Sequence, residues 1–439
     1  IGTSSPQTRL SVVGTAGNND VLDIASSTGG SMLRVTAGGN VGIGTTTPSE
    51  KLQVVGNISN ITKPNTTLSQ ISTASVEKGP YSVFVSGKYA YVANYTSNTI
   101  SVVDVSNPLF PIQIATTSVG SGPYSIYVSG KYAYVANNGS DSISVVDVSN
   151  PFVPIQIATT SVGSVPYSIY VSGKYAYVAN SGGTNSVSVV DISNPSAPTQ
   201  IATLALGTIN PQSIFVSGRY AYVVNNGSDS ITVVDISNPS TPIQLGSATV
   251  GDGPVSIYVS GRYAYVANLT IPSSISVVDV SNPSTPVQIA TTSVGTWPYS
   301  IFVSGRYAYV ANYSLGNISV VDVSSSTAPV RITNVSVGTG PSSVYVSGRY
   351  AYTANYNGGN GSTISVVDIS GTEVTSLIAH SAEVGNIQSR NDVFAQGNIM
   401  AGTSLMVGAG GIMSQGSLSV FASSTGSTSS IFGIDSTQA

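Results

Sequence analysis

Ser86-Gly87-Lys88-Tyr89-Ala90-Tyr91-Val92-Ala93-Asn94 decides the fold, because it is repeated. Near-copies begin at Ser129, Ser172, Ser217, Ser260, Ser304 and Ser347, a step of 43 to 45 residues. Each is followed by a Ser-Val-Val-Asp-type strand ending at Asp104, Asp147, Asp191, Asp235, Asp279, Asp322 or Asp368. A period of this length, cut into short strands by turn residues, predicts the blades of a β-propeller.

The second copy shows one unit. Strand A is expected over residues 125–128, with a hairpin at Ser129-Gly130-Lys131, and strand B over 132–136. A variable loop leads to strand C over 142–148, and the Asn150-Pro151 to Pro154 segment turns the chain into strand D over 155–162. Glycine supplies the positive φ of the hairpin, and proline ends pairing because it cannot donate to a ladder. Both faces of strands B and C are apolar, as a sheet packed between two others requires. The tyrosine pairs of strand B account for 14 of the 25 tyrosines and are expected to pack between blades. The last copy lacks the proline turn. Leu68-Ser69-Gln70-Ile71-Ser72-Thr73-Ala74-Ser75-Val76 matches strand D and precedes the first strand A, so it can complete blade seven. A rival strand lies in Thr375 to Glu383.

These repeats resemble the LVIVD-type propeller family through Tyr-Ala-Tyr-Val-Ala-Asn and through Val-Val-Asp-Val-Ser-Asn-Pro, as at Val102 to Pro108. Copy six departs at Ser326, where the others carry the first proline. The resemblance implies an extracellular or cell-surface protein and brings no shared catalytic residue.

Two flanks differ from the repeats. Residues 1–62 carry a repeat of their own: Ile1-Gly2-Thr3-Ser4-Ser5-Pro6 returns as Ile43-Gly44-Thr45-Thr46-Thr47-Pro48. Arg9-Leu10-Ser11-Val12-Val13 likewise returns as Lys51-Leu52-Gln53-Val54-Val55. Strands this short bury little surface within one chain, and a symmetric bundle of identical chains is the simplest remedy. The segment resembles the stalk repeats of phage tail fibres and bacterial surface fibres, which implies a homotrimeric β-shaft. Residues 373–439 read the same way, with Gly-rich turns and Met400, Met406 and Met413. The domain expectation is therefore shaft over 1–62, a seven-bladed propeller over 63–372 and shaft over 373–439, all-β throughout. A first residue that is not methionine suggests a processed or partial chain.

Composition narrows function. Charged residues are 7% of the chain and the net charge is −4, with no basic run to attract nucleic acid. No apolar run approaches the roughly 18 residues of a membrane span, so membrane insertion is not expected. Cysteine is absent, which removes disulfides and thiolate metal sites. His380 is the single histidine, so neither a multi-histidine metal site nor a catalytic triad is supported. No cofactor or metal is expected.

The candidate binding residues lie in loops. A constant scaffold with varied loops on one face is how binding surfaces are built. The B–C and D–A loops vary and share one face, and they nominate Tyr95, Asn138, Asp141, Leu269, Trp297, Tyr313 and Tyr356. Exposed Trp, Tyr and Asn suit sugar rings. Asn94, Asn138, Asn226, Asn268, Asn312 and Asn360 begin glycosylation sequons near the same loops. The strand C aspartates recur in every blade and read as structural. Each A–B hairpin carries one cation, Lys88, Lys131, Lys174, Arg219, Arg262, Arg306 or Arg349, which serves solubility or an acidic partner.

The resulting expectation is an extracellular or cell-surface fibre protein, of an appendage or virion. Its propeller would attach to a surface glycan or a cell-surface protein. A self-assembling filament is the alternative, and a propeller lyase or hydrolase the less favoured one.

Overall fold

The computed structural model describes residues 22–25, 31–43, 45–49, 51–54, 68–207, 209–356 and 361–369. The chain divides into two compact units, Ile1–Lys63 and Pro64–Ala439. The shaft expected over 373–439, His380 and the rival strand at 375–383 lie outside the described residues.

In the first unit Leu22–Ala25, Ser31–Val35, Val41–Ile43 and Leu52–Val54 form one four-stranded sheet in that order. Two pairings are antiparallel and the last is parallel, with Val41 opposite Leu52. The parallel crossover is held by Asn40, whose Nδ2 donates to the Pro48 carbonyl at 3.1 Å. Ile24 and Ile43 stay 45% and 43% exposed, so this sheet leaves apolar side chains uncovered.

Among the described residues, the second unit holds seven four-stranded sheets. In blade 2, strand A is Pro123–Ser129, B is Tyr132–Asn137, C is Ser142–Asp147 and D is Ile155–Ser161, each antiparallel to the next. Blade 7 takes its outer strand from the other end of the repeat region. Ser69–Ser75 pairs with Thr363–Asp368, from Ser75 opposite Thr363 to Ser69 opposite Asp368. The ring therefore closes through the N-terminal strand, without a free edge at the seam.

Packing lies between blades rather than within one centre. Tyr134, Ala136, Ile143 and Val145 of blade 2 meet Ile169, Val171, Ala176 and Val178 of blade 3 in one cluster. The other junctions repeat the arrangement. The second tyrosine of each strand B is buried to 3–4% exposure, as expected of an inter-blade residue.

Strand A is innermost, and its backbone donors on the axial side need acceptors. Serine side chains of the preceding blade supply them. Ile126 N donates to Ser82 Oγ at 3.3 Å, Ile169 N to Ser125 Oγ at 3.3 Å, and Val83 N to Ser343 Oγ at 3.2 Å across the seam. Ser168, Ser256 and Ser300 accept in the same way.

Strand A departs from its expected extent in one useful respect. It begins two residues earlier, and its pairing steps from Pro123–Asn137 to Ser125–Ala136, leaving Tyr124 unpaired in a bulge. Every blade repeats this bulge after the leading proline. A bulge re-aims a side chain, and here it turns the residue after the proline toward the axis.

The residue before that proline has positive φ in all seven blades: Gly79, Gly122, Val165, Asn210, Gly253, Trp297 and Gly340, between 46° and 73°. Valine is poorly suited to this region because its β-branch crowds the backbone. Val165→Gly is therefore expected to stabilise the unit by up to about 1 kcal/mol, relief of strain exceeding the entropy cost of glycine. A higher urea midpoint with an unchanged slope is the confirming result.

Candidate functional site

The bulges and the B–C loops build a funnel of about 590 Å³ on the axis, within the range of small-molecule sites. Its upper wall comes from the bulge position, occupied by Tyr81, Tyr124, Tyr167, Gln212, Val255, Tyr299 and Ser342 in blade order. Its mouth comes from the first B–C loop residue, Tyr95, Asn138, Asn226, Leu269, Tyr313 and Tyr356 among them. Below lie the serines that join neighbouring A strands.

Beyond the serines the axis narrows. Phe84, Tyr127, Tyr170, Phe215, Tyr258, Phe302 and Tyr345 form a closed heptagon of rings, with neighbouring centroids 4.7–4.9 Å apart. Burial pushes the hydroxyls of Tyr127, Tyr170, Tyr258 and Tyr345 above the usual phenol range.

The funnel wall breaks the symmetry of the scaffold. Blades 6, 7, 1, 2 and 3 present a continuous aromatic arc. Trp297 lies 6.4 Å from Tyr313, and Tyr313 lies 4.8 Å from Tyr299 and 6.4 Å from Tyr356. Tyr356 is 5.7 Å from Tyr81, which stacks on Tyr124 at 4.1 Å, and Tyr167 follows at 4.7 Å. Tyr124 Oη donates to Tyr81 Oη at 3.1 Å. Burial holds both of these hydroxyls neutral well above their ordinary range. Opposite the arc, Gln212, Asn226, Val255 and Leu269 make a wall without rings, and Gln212 Nε2 donates to Ser181 Oγ at 3.4 Å.

The nominated loop residues divide accordingly. Tyr95, Asn138, Leu269, Tyr313 and Tyr356 line the funnel. Trp297 stands at its rim, 45% exposed. Asp141 does not line it. Its Oδ1 accepts from Val165 N at 2.7 Å, tying blade 2 to the next D–A turn, as Asn98 and Asp229 do for Gly122 and Gly253. The bulge tyrosines were missed by sequence reasoning because residues 123 and 124 read as loop. Their signal was nonetheless present: the position after the proline is the most varied within an otherwise constant strand.

The sequon asparagines fall into separate groups. Asn94, Asn268 and Asn312 are 0–1% exposed, and their Nδ2 atoms donate to strand C hydroxyls at 2.8–2.9 Å. They belong to a buried ring with Asn137, Asn180, Asn225 and Asn355, so the folded blade offers no accessible amide there. Asn138 and Asn226 are half-buried at the funnel mouth. Asn360 lies outside the described residues.

On the opposite face the hairpin arginines are not free cations. Each pairs with the strand C aspartate of its own blade: Arg219–Asp235 and Arg262–Asp279 at 2.5 Å, Arg306–Asp322, and Arg349–Asp368 through two donors. Arg219, Arg262 and Arg306 also cover the first tyrosine of strand B at 5.2–5.3 Å. The structural reading of the aspartates holds. Asp235 Oδ1 accepts from Ser237 N and Asp279 Oδ1 from Ser281 N. The Ser237 hydroxyl and Arg219 hold Asp235 down to about 2, and Arg262 and Ser281 hold Asp279 to about 2. A carboxylate depressed in the folded state contributes stability above its unfolded pKa and loses it as pH falls through the folded value. The thermal midpoint is thus expected to be level down to about pH 4 and to fall between about pH 4 and 2. Asp235→Asn with Asp279→Asn should lower the plateau and reduce that fall.

Among the described residues no group of three or more His, Cys, Asp or Glu side chains is placed to hold a metal, and no helix is long and apolar enough to cross a membrane.

Seven sheets around an axial funnel define a seven-bladed β-propeller. The chain belongs to the LVIVD repeat family, which matches residues 81–116, 124–159, 166–204, 210–250, 254–292, 299–337 and 341–377. No curated protein matches it. Among solved structures it is similar to hydrazine synthase of Kuenenia stuttgartiensis, with 21% identity over 67% of this chain and 97% of that one and a TM-score of 0.54. It is also similar to the periplasmic gluconolactonase PpgL of Pseudomonas aeruginosa, with 19% identity over 71% and 93% and a TM-score of 0.54. A putative 6-phosphogluconolactonase of Bacteroides fragilis matches at 15% identity over 60% and 86%, with a TM-score of 0.55. Likeness at these identities shows the fold alone.

Proposed function

We propose that the chain is part of an extracellular or cell-surface fibre protein that displays its propeller for attachment, with carbohydrate bound in the axial funnel. The observation that carries the reading is the one-sided aromatic arc of Trp297, Tyr313, Tyr356, Tyr81 and Tyr124 in a scaffold otherwise uniform around the ring. Stacked rings supply broad apolar faces, and neighbouring hydroxyls and amides supply hydrogen bonds, the combination a sugar requires. The fibre part of the reading rests on the stalk-like repeats of residues 1–62 and on uncovered Ile24 and Ile43, which suit trimerisation.

The test is a glycan array probed with the full chain. Trp297→Gly is the informative variant, because Gly79, Gly122, Gly253 and Gly340 occupy the same positive-φ position. It should weaken binding at least tenfold, about 1.4 kcal/mol, without lowering the thermal midpoint. Binding unaffected by Trp297→Gly together with Tyr313→Ala would contradict the reading, and turnover of a lactone or glycan would favour an enzyme.

A second reading, assembly through the propellers, has an observation of its own. The C–D turns of adjacent blades 1 and 2 expose Leu109, Phe110, Phe152 and Val153, where blades 3 to 5 carry Ser with Ala or Thr. Exposed apolar patches of this kind mark interaction surfaces. A particle mass that falls on Phe110→Ser with Phe152→Ser would support it.

A further inference from the structure

We infer that the funnel recognises the uncharged end of a carbohydrate chain and discriminates against sialylated, sulfated and uronic-acid termini. The inference rests on the carbohydrate reading and makes it more specific.

Three observations combine. The first is chemical: every side chain lining the funnel is Tyr, Ser, Asn, Gln, Val or Leu, and none carries a charge. Hydroxyls and carboxamides both donate and accept, which matches the dual character of sugar hydroxyls. A carboxylate or sulfate gives up several kcal/mol of hydration on burial, and no charged donor in the lining helps to offset it.

The second is electrostatic. Tyr124 spends its hydroxyl proton on Tyr81 inside the wall, and Tyr81 also hydrogen-bonds with Tyr299. Burial, the largest cause acting on Tyr81 and Tyr124, raises them well above the phenol range. The same environment that disfavours a phenolate disfavours a bound anion. The hairpin arginines cannot compensate, because they sit on the opposite face and are paired with aspartates.

The third is geometric. The heptagon around Phe84 and Tyr170 closes below the serine ring, with centroids 4.7–4.9 Å apart. The funnel's lining ends at the serines and takes in no ring of the heptagon, which is therefore its floor. A ligand enters and leaves by the mouth, and only a terminus or short branch reaches the serines. The aromatic arc then takes one face of that terminal sugar, while Gln212 and Asn226 face its other side.

The experiment compares matched termini on the full chain: each neutral oligosaccharide on an array against its sialylated, sulfated and uronic-acid counterparts. Hits are then titrated by the fluorescence of Trp297, the single tryptophan, at the funnel rim. Neutral termini should bind at least tenfold tighter than charged counterparts, with an affinity independent of salt. Equal or tighter binding of a charged counterpart, or an affinity that weakens with salt, overturns the inference while leaving the carbohydrate reading intact. Binding to mid-chain residues with blocked ends does the same. Absence of binding to every neutral and charged glycan overturns the carbohydrate reading itself. Val255→Lys, which adds a cation to the ringless wall, should shift preference toward the acidic terminus, and no shift would count against a charge-based filter.

Discussion

A chain that begins at residue 77 is expected to lose the closed ring. Ser69–Ser75 is the outer strand of blade 7, and six residues of Thr363–Asp368 pair with it. Its removal uncovers the cluster in which Ala74 is buried and Ile71 and Val76 are partly buried against Ile364 and Val366. It also deletes two links across the seam: the Val76 N to Ser362 carbonyl bond, and the Ser72 Oγ to Pro108 carbonyl bond at 2.5 Å. Lost burial and pairing together amount to about 5 kcal/mol. The bared strand also becomes an edge open to other chains. The expected result is a sharply lower urea midpoint with aggregation on warming. A chain beginning at residue 64 should keep its midpoint, and a peptide of residues 66–77 added in trans should restore part of the loss. An unchanged midpoint in the shorter chain would mean that another segment closes the ring.

Tyr81→Ala is expected to have the largest effect on binding. Tyr81 is the hub of the arc, touching Tyr95 at 5.8 Å, Tyr124 at 4.1 Å, Tyr356 at 5.7 Å and Tyr299 at 6.5 Å. Truncation removes the stacking surface and leaves Tyr124 without its hydroxyl acceptor. Affinity should fall at least about 100-fold, near 3 kcal/mol, and folding stability by about 2–4 kcal/mol. Tyr81→Phe separates the two effects: it keeps the stack and loses only the hydroxyl, at about 1 kcal/mol of stability. If Tyr81→Ala retained affinity while Trp297→Gly lost it, binding would be confined to the rim.

The architecture was legible in the sequence for a specific reason. A step of 43 to 45 residues leaves little freedom in where Tyr132, Ser142 and Ile155 begin their strands. The closing strand was legible because Ile71 to Val76 repeats the strand D pattern of Ile114 to Val119. The candidate site was half legible. Tyr95, Tyr313 and Tyr356 follow directly from a strand end, so their place at the mouth could be inferred. Tyr124 could not be placed, because a bulge reverses the alternation that assigns faces. Asp141 was named with the other variable-loop residues, and its φ of 48° and its bond to Val165 N show the turn role that loop variation could not reveal. Burial of Asn94 was likewise invisible: a sequon reports chemistry, not access.

The bulge position has a genetic consequence. It is one codon per unit, recurring every 43 to 45 residues, and the most varied position of an otherwise constant strand. Substitution there sets Tyr, Gln, Val or Ser on the axis while the flanking Pro and Ser remain. A single codon change at Val255 acts on the funnel without reaching the inter-blade clusters. The funnel wall can therefore change by point mutation on a frame that stays fixed.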